Sequence, residues 1–132
     1  MSADAQEPTH QPRFAVIIAG SRDFNDYELV CAKCAAFFAH RTPTSIVCGE
    51  ARGADTLGRR WAVEHGIRVD SYPADWDRFG KRAGFIRNEQ MAMNADALIA
   101  FWDGRSRGTK HMIDIAQQRG LPVRVVRIER KE

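Results

Sequence analysis

The sequence predicts an α/β fold in three layers, built on a doubly wound parallel sheet of about five strands. Short apolar runs alternate along the chain with longer amphipathic segments, which is the pattern of βα units on a buried sheet. Three of the apolar runs end in turns that contain glycine together with hydroxyl or basic residues. With 132 residues, 44% of them hydrophobic, the chain can form an adequate core without disulfides or metal ions.

Five apolar runs are predicted as strands, each bounded by glycine, proline or polar residues. They cover residues 14–19, 45–48, 67–72, 97–102 and 123–128. Right-handed crossovers between them give the strand order 3-2-1-4-5, a Rossmann-like arrangement. In such a sheet, ligands bind at the carboxyl ends of the strands.

Four helices are predicted between the strands. They cover residues 26–40, 56–65, 82–94 and 110–119. Gly66 and Gly120 end the second and the last of them, as glycine commonly does after a helix. A loop that contains Trp76, Phe79 and Gly80 is expected before the third helix.

The domain organisation is expected to be simple. Residues 1–12 are polar, contain two prolines and lack apolar periodicity, so we expect a flexible tail there and one domain at residues 13–132. The apolar runs are far shorter than the roughly 20 residues that span a bilayer, so no membrane segment is expected.

The charged residues and the cysteines indicate which partners and which cellular compartment to expect. A formal charge of +3 favours anionic partners, although the basic residues form no continuous run. Three cysteines, an odd number without a secretory segment, indicate the reducing cytoplasm. Cys31 and Cys34 form a C-x-x-C within a predicted helix and are interpreted as a packed helix face rather than a zinc or redox site. No metal or cofactor is predicted.

The first strand ends in the turn Gly20-Ser21-Arg22-Asp23. Glycine lets the backbone approach a ligand closely, the Ser21 hydroxyl can donate a hydrogen bond, and the Arg22 guanidinium can form a bidentate pair with phosphate. An ordinary strand-to-helix turn with a capping serine explains the same residues equally well.

The second strand runs into a turn between Gly49 and Asp55. Arg52 and Gly53 stand just before a predicted helix, where free N–H groups and the helix dipole favour an anion, and we assign these two residues to ligand binding. Asp55 either caps the helix by accepting from those N–H groups or accepts a ribose hydroxyl, and capping is the preferred interpretation.

The turn after the fourth strand has the composition of a phosphate cradle at a helix N-terminus. It consists of Asp103, Gly104, Arg105, Ser106, Arg107, Gly108, Thr109 and Lys110. The turn lacks the order G-x-x-x-x-G-K-[ST], which excludes a P-loop. No G-x-G-x-x-G follows the first strand, which argues against ordinary dinucleotide binding.

The predicted third helix interrupts its apolar pattern with Arg87, Asn88 and Glu89. A solvated helix face is the simpler explanation, but the helix begins near the ligand-binding edge, which makes Arg87 and Asn88 candidates for ligand contact. In the loop before it, Trp76 and Phe79 either stack on a nucleotide base or cover the core.

These segments together resemble a known family. Over about residues 14–128, the chain is similar to the small bacterial and phage domains grouped as YspA-like proteins of the SLOG superfamily. The segments that carry the resemblance are Gly20-Ser21-Arg22-Asp23, Gly49 with residues 51–55, residues 72–76, Arg87-Asn88 with Met91, and Trp102-Asp103-Gly104 through Gly108-Thr109-Lys110.

The resemblance implies a Rossmann-like fold that binds nucleotide-derived ligands. Relatives include the cytokinin-activating phosphoribohydrolases, DNA-processing protein A and sensor domains of nucleotide-signalling conflict systems. Such relatives often pair through the helices that flank the sheet, so the resemblance also implies a homo-oligomer.

Two departures from the relatives bear on activity. The phosphoribohydrolases carry a P-G-G-x-G-T-x-x-E loop, and its Gly-Thr corresponds to Gly108-Thr109, which places Met112 where their catalytic glutamate stands. Their helical arginine corresponds to Arg87. Glu50 stands where the family commonly has glycine, and a carboxylate there would repel phosphate or select a ribose hydroxyl.

The leading hypothesis is therefore a module that binds or senses a nucleotide-derived phosphorylated ligand, and whether it also catalyses a reaction stays open. As an enzyme it would be a nucleotide N-glycosidase similar to the phosphoribohydrolases. Arg87 would then position phosphate, and the candidate acids are Glu89, Asp55 and Asp103. Binding of single-stranded nucleic acid through the basic loops and Trp76 ranks last, because the net charge is small.

Overall fold

The computed structural model describes residues 12–129 and contains a parallel sheet of five strands. The strands are β1 (Ala15–Gly20), β2 (Ser45–Cys48), β3 (Arg68–Ser71), β4 (Ala97–Trp102) and β5 (Val123–Arg127). Their order is β3-β2-β1-β4-β5, which confirms the predicted topology and the Rossmann-like class. The tail expected at residues 1–12 lies, apart from Pro12, outside the described residues.

The helices that connect the strands form the two outer layers. They are α1 (Tyr27–Phe37), α2 (Ala54–Glu64), α3 (Trp76–Phe79), α4 (Ala83–Met93) and α5 (Arg107–Gln118). Side chains of α1 and α2 pack on one face of the sheet, and side chains of α4 and α5 pack on the other. None of the helices among the described residues is long and apolar enough to cross a membrane.

β1 lies at the centre of the sheet because its side chains are apolar on both faces. Ile17 and Ile18 are both fully buried, one in each of the two cores. Within the sheet, β1 lies between β2 and β4. Val16 is in register with Ile46 of β2 and with Ala97 of β4. Cys34 is buried in the core beneath α1, as the helix-face interpretation of the C-x-x-C expected.

The expected loop around Trp76 and the predicted start of the last helix were wrong. Asp75 accepts a hydrogen bond from the Arg78 amide at 3.1 Å and thereby starts α3, which a 3-10 turn at Gly80–Arg82 joins to α4. Ser106 caps α5 by accepting from the Thr109 amide at 3.4 Å, so this helix begins at Arg107 rather than at residue 110.

The preferred role of Asp55 as a helix cap was also wrong. The residue at the N-cap of α2 is Gly53, which has no side chain to offer, and Asp55 lies within the first turn. The carboxylate of Asp55 points back to the preceding loop and accepts a hydrogen bond from the Ala51 amide at 3.2 Å.

Candidate functional site

A cavity of about 430 Å³ opens at the carboxyl ends of β1 and β4, where the strand order reverses. We call it the large chamber. Most of the residues that the sequence assigned to ligand binding line it. They are Gly20, Ser21, Arg22, Asp55, Trp76, Arg87, Asn88, Asp103, Ser106, Gly108 and Thr109.

A second cavity of about 290 Å³ adjoins the first on the side of β2, and we call it the small chamber. Gly49 and Arg52, also predicted from the sequence, line this chamber rather than the large one. Arg22, Trp76 and Arg87 border both chambers. The three turns that were predicted as separate phosphate contacts, after β1, β2 and β4, therefore meet at these two adjoining chambers, which together we call the groove.

The turn after β1 is tied to the end of β4 through Ser21. The Ser21 amide donates to the Phe101 carbonyl at 3.0 Å, and the buried Ser21 hydroxyl accepts from the Asp103 amide at 3.2 Å. Because that hydroxyl acts as an acceptor here, its own hydrogen can be donated into the large chamber. Arg22 follows with an exposed guanidinium.

Two glycines of the turn after β2 are required by packing within the protein. A Cβ on Gly49 would lie 2.6 Å from Nη1 of Arg87 and 3.0 Å from the carboxylate of Asp55. Gly53 has φ +78°, and a Cβ there would lie 2.5 Å from the Arg22 carbonyl oxygen and closer still to that of Ser21. Gly53 lines neither chamber, so its predicted contact with a ligand is replaced by a contact between two loops.

Buried Asp55 and half-buried Arg87 form the polar centre of the site. Arg87 donates through Nη1 to the Gly49 carbonyl and through Nε to Oδ1 of Asn88 at 3.1 Å. Burial raises the pKa of Asp55 to about 6, although the Ala51 amide and the charge of Arg87 both oppose the rise. Burial also lowers the pKa of Arg87, with the charge of Asp55 acting in the opposite direction.

We expect the stability of the protein to carry a pH dependence that comes from Asp55. Its pKa of about 6 in the folded state lies above its ordinary value of 3.8, so the folded state binds the proton more tightly and stability falls as pH rises from about 4 to about 6. The difference amounts to roughly 3 kcal/mol. Urea denaturation from pH 4 to 7.5 should show this fall in the wild type relative to Asp55→Asn. The same dependence of unfolding free energy on pH in both proteins would contradict the raised pKa of Asp55.

The turn between β4 and α5 holds the helix N-terminus beside the large chamber. Oδ1 of Asp103 accepts from the amides of Arg105 and Ser106 at 2.8 and 2.9 Å, which fixes the turn. Gly108 and Thr109 form the first turn of α5 at the chamber wall, where the helix dipole favours an anion.

Two residues of the predicted cradle lie elsewhere. Lys110 pairs with Asp114, one helical turn further along α5, at 2.8 Å. Gly104 packs against the guanidinium of Arg127, which a Cβ would displace. Neither residue lines the two chambers.

The floor of the large chamber is apolar. Met91 and Met112 are both buried there, so the position that the resemblance gives to a catalytic glutamate holds a thioether. Asn88 is also buried and donates to the Gly108 carbonyl at 3.2 Å, which joins α4 to α5. Of the acids considered in the sequence, Asp55 and Asp103 line the chamber, whereas Glu89 is exposed and does not.

Aromatic residues border the chambers at the start of α3 and α4. Trp76 is 52% exposed and lies at the junction of the chambers, whereas Phe79 lines neither. Phe85 was missed as a site residue because it fits the apolar pattern of its helix; it stacks on His111 with ring centroids 4.1 Å apart and borders the large chamber. Lys81 was also missed, although a basic residue just before a helix at the ligand edge was a usable signal.

Arginines without a protein partner are concentrated around these chambers. Arg22, Arg52, Arg105 and Arg107 border one or both chambers, and their side chains form no hydrogen bond, ion pair or ring contact with any described residue. Several arginines elsewhere, such as Arg13 and Arg68, are paired with carboxylates at 3.0 and 2.9 Å, whereas Arg82 and Arg119 also have no partner among the described residues. The unpaired guanidinium groups make the groove a favourable place for an anion.

Glu50 occupies a backbone conformation that favours glycine. Its φ is +61°, it lines the small chamber, and its carboxylate pairs with Arg59 at 3.2 Å. We expect Glu50→Gly to be more stable than Glu50→Ala by about 1 kcal/mol, since only alanine keeps the cost of a left-handed residue. Both variants lose the same exposed ion pair, so the comparison isolates the backbone. Equal midpoints of urea denaturation would contradict this expectation.

Comparison with known proteins gives the family. The model of the YspA, cpYpsA-related SLOG family matches residues 14–79, which covers half of the chain. The chain belongs to this SLOG family. The match confirms the resemblance drawn from the sequence, and it includes β1, β2, β3 and the turns that carry Arg22 and Arg52.

This SLOG protein is also similar in sequence to a curated relative and in fold to a solved structure. The Gene 61 protein of Mycobacterium phage D29 is 41% identical over 116 residues, which cover 82% of this chain and 92% of the relative. DNA processing protein A (DprA) from Streptococcus pneumoniae shares the fold, with a TM-score of 0.68 and 17% identity over 86% of this chain. The SLOG chain covers 50% of that DprA chain. Membership of the SLOG family supports a role connected with nucleotides or nucleic acid, and the likeness to DprA supports the Rossmann-like fold.

Proposed function

We propose that the protein binds a nucleotide-type phosphorylated ligand in the large chamber. The observation that carries this proposal is the convergence of unpaired guanidinium groups on a cavity that also borders the N-terminus of α5. Phosphate is recognised by this combination of arginine forks and helix N–H groups. An apolar floor of Met91 and Met112 beside exposed Trp76 provides surface for a base.

The roles of the residues follow from their positions. Arg22 reaches the groove from the turn after β1, and Arg87 reaches it from α4, so a phosphate at the junction of the chambers is held from two sides. The Ser21 hydroxyl and the first turn of α5 add hydrogen-bond donors on the large-chamber side. Asp55 holds the loop at Ala51 and supplies the negative charge next to Arg87.

The experiment that tests this function is calorimetric titration with nucleoside mono-, di- and triphosphates. We expect binding by the wild type and a loss of about 10-fold or more in affinity for Arg22→Ala, since one charge-assisted contact with phosphate is removed. Arg82→Ala is the matched control, because Arg82 is also unpaired among the described residues but lines neither chamber. Absence of binding by the wild type to the whole series would refute the proposal.

A hydrolase is the second candidate, and the position of Asp55 favours it. A carboxyl group with a pKa of about 6, buried beside Arg87 in the same chamber, has the properties of a general acid or base at neutral pH. Asp55 would then supply the carboxyl group for cleaving an N-glycosidic bond, because Met112, at the position of the catalytic glutamate, has none. Release of free base from nucleoside monophosphates, lost in Asp55→Asn while binding persists, would establish this reaction. Binding without release of base would leave the protein a binding module.

A further inference from the structure

The groove is longer than a single mononucleotide requires. The large and small chambers measure about 430 and 290 Å³ and share Arg22, Ala51, Trp76 and Arg87 as their common border. The large chamber alone falls within the range of roughly 300–1,000 Å³ that is typical of small-molecule sites. A nucleoside monophosphate placed there therefore leaves the small chamber unexplained.

The lining of the small chamber is suited to oxygen atoms rather than to a base. The turn from Gly49 to Arg52 forms one wall, and Pro73 and Ala74 form the other. Arg52 lines only this chamber, is exposed, and has no partner among the described residues. The Glu50 carboxylate is engaged with Arg59, so its charge is partly compensated. Guanidinium donors in such a place bind phosphate oxygens or sugar hydroxyls.

Resting on the proposed function, we propose that the ligand is a nucleoside diphosphate whose second phosphate carries a further oxygen-rich group. The apolar floor of Met91 and Met112 assigns the nucleoside to the large chamber. The two arginines of the common border hold the diphosphate, Arg22 from the turn after β1 and Arg87 from α4. The group beyond it enters the small chamber, where it contacts Arg52. A sugar and a further phosphate share this chemistry.

Calorimetric titration of the full chain with matched pairs of compounds tests the proposal. AMP is compared with ADP-ribose, UMP with UDP-glucose and GMP with GDP-mannose, and ATP serves as the compound whose distal group is a phosphate. We expect the extended member of at least one pair, or ATP, to bind about 10-fold more tightly than the corresponding monophosphate. The ratio of ADP-ribose to ATP affinity then distinguishes a sugar from a phosphate in the small chamber.

Two variants of the small chamber test whether the gain in affinity for the extended compounds arises there. Arg52→Gln and Ala74→Leu should each remove most of the preference for the extended ligand and leave monophosphate affinity within about 2-fold of the wild type. Arg119→Gln is the matched control, because this arginine is exposed, has no described partner and lines neither chamber.

The outcomes separate this inference from the proposed function. Monophosphate binding without any gain for the extended compounds would overturn the inference and leave the proposed function standing. A gain that persists in both Arg52→Gln and Ala74→Leu would also overturn it, since the distal group would then lie elsewhere. Failure of every compound to bind would refute the proposed function and the inference with it.

Discussion

Replacing Arg87 with alanine is expected to weaken nucleotide binding by about 100-fold or more, since two charge-assisted hydrogen bonds to phosphate are worth roughly 3 kcal/mol together. Arg87 borders both chambers and is held in place by the Gly49 carbonyl and the Asn88 side chain. Its guanidinium is therefore preorganised, and its loss removes a fixed donor rather than a mobile one. Calorimetry with the tightest nucleotide of the series measures the effect.

Asp55 provides a second readout for the same substitution. Without the neighbouring positive charge, the pKa of this buried carboxyl should rise beyond its value of about 6 in the wild type, because Arg87 opposes the effect of burial. Carbon NMR of the aspartate carboxyl groups across pH 5 to 8 follows that change. Arg82→Ala, on the neighbouring 3-10 turn, should alter neither affinity nor the titration. Equal nucleotide affinities of the two variants would show that Arg87 does not hold the phosphate.

Gly53→Ala is expected to lower the free energy of unfolding by about 4 kcal/mol, combining backbone strain of 1–3 kcal/mol with overpacking of similar size. The residue has φ +78° and ψ −125°, a conformation that is open to glycine and costly for alanine. A methyl group would also press on the carbonyl oxygens of Ser21 and Arg22, which belong to the neighbouring turn. Such a loss is a large fraction of the usual stability of a small domain.

Two other glycines act as controls for this prediction. Gly66 has φ +68° with nothing within 4 Å of a built Cβ, so Gly66→Ala should show the cost of the backbone without the clash. Gly108 lies in α5 with equally open space and no positive φ, so Gly108→Ala should be neutral or should stabilise the protein by up to about 1 kcal/mol. The three variants are compared by urea denaturation. If Gly53→Ala cost no more than Gly66→Ala, the close approach of the two loops would not be needed for stability.

The sheet and the general location of the site were predictable because both depend on patterns that extend over many residues. Alternation of apolar runs and helices gives the five strands and their order, and it brings the strand ends together at one edge. Arg22, Arg87 and Gly108 could therefore be assigned to that edge without knowledge of side-chain positions. The family model matches residues 14–79, which include the turn that carries Arg22 but neither Arg87 nor Gly108.

The remaining details depend on where individual helices begin, which periodicity does not determine. Moving the start of α2 to Ala54 turns Asp55 from a cap into a buried partner of the Ala51 amide. Moving the start of α5 to Arg107 puts Lys110, which pairs with Asp114, at the end of the first turn instead of at the helix N-terminus. Likewise, the positive φ of Glu50 has no signature in the residue type, because the sequence holds glutamate where the conformation favours glycine.

The seam between β1 and β4 joins the part of the chain before α4 to the part that contains α4, β4 and α5. Arg22 and Ser21 stand on one side of this seam, and Arg87 and Gly108 stand on the other. A molecule that contacts both sides acts as a clamp, because separating the two strands would first require its release. Amide protons of β4 would then exchange with solvent more slowly when the groove is filled, by a factor set by ligand concentration and affinity.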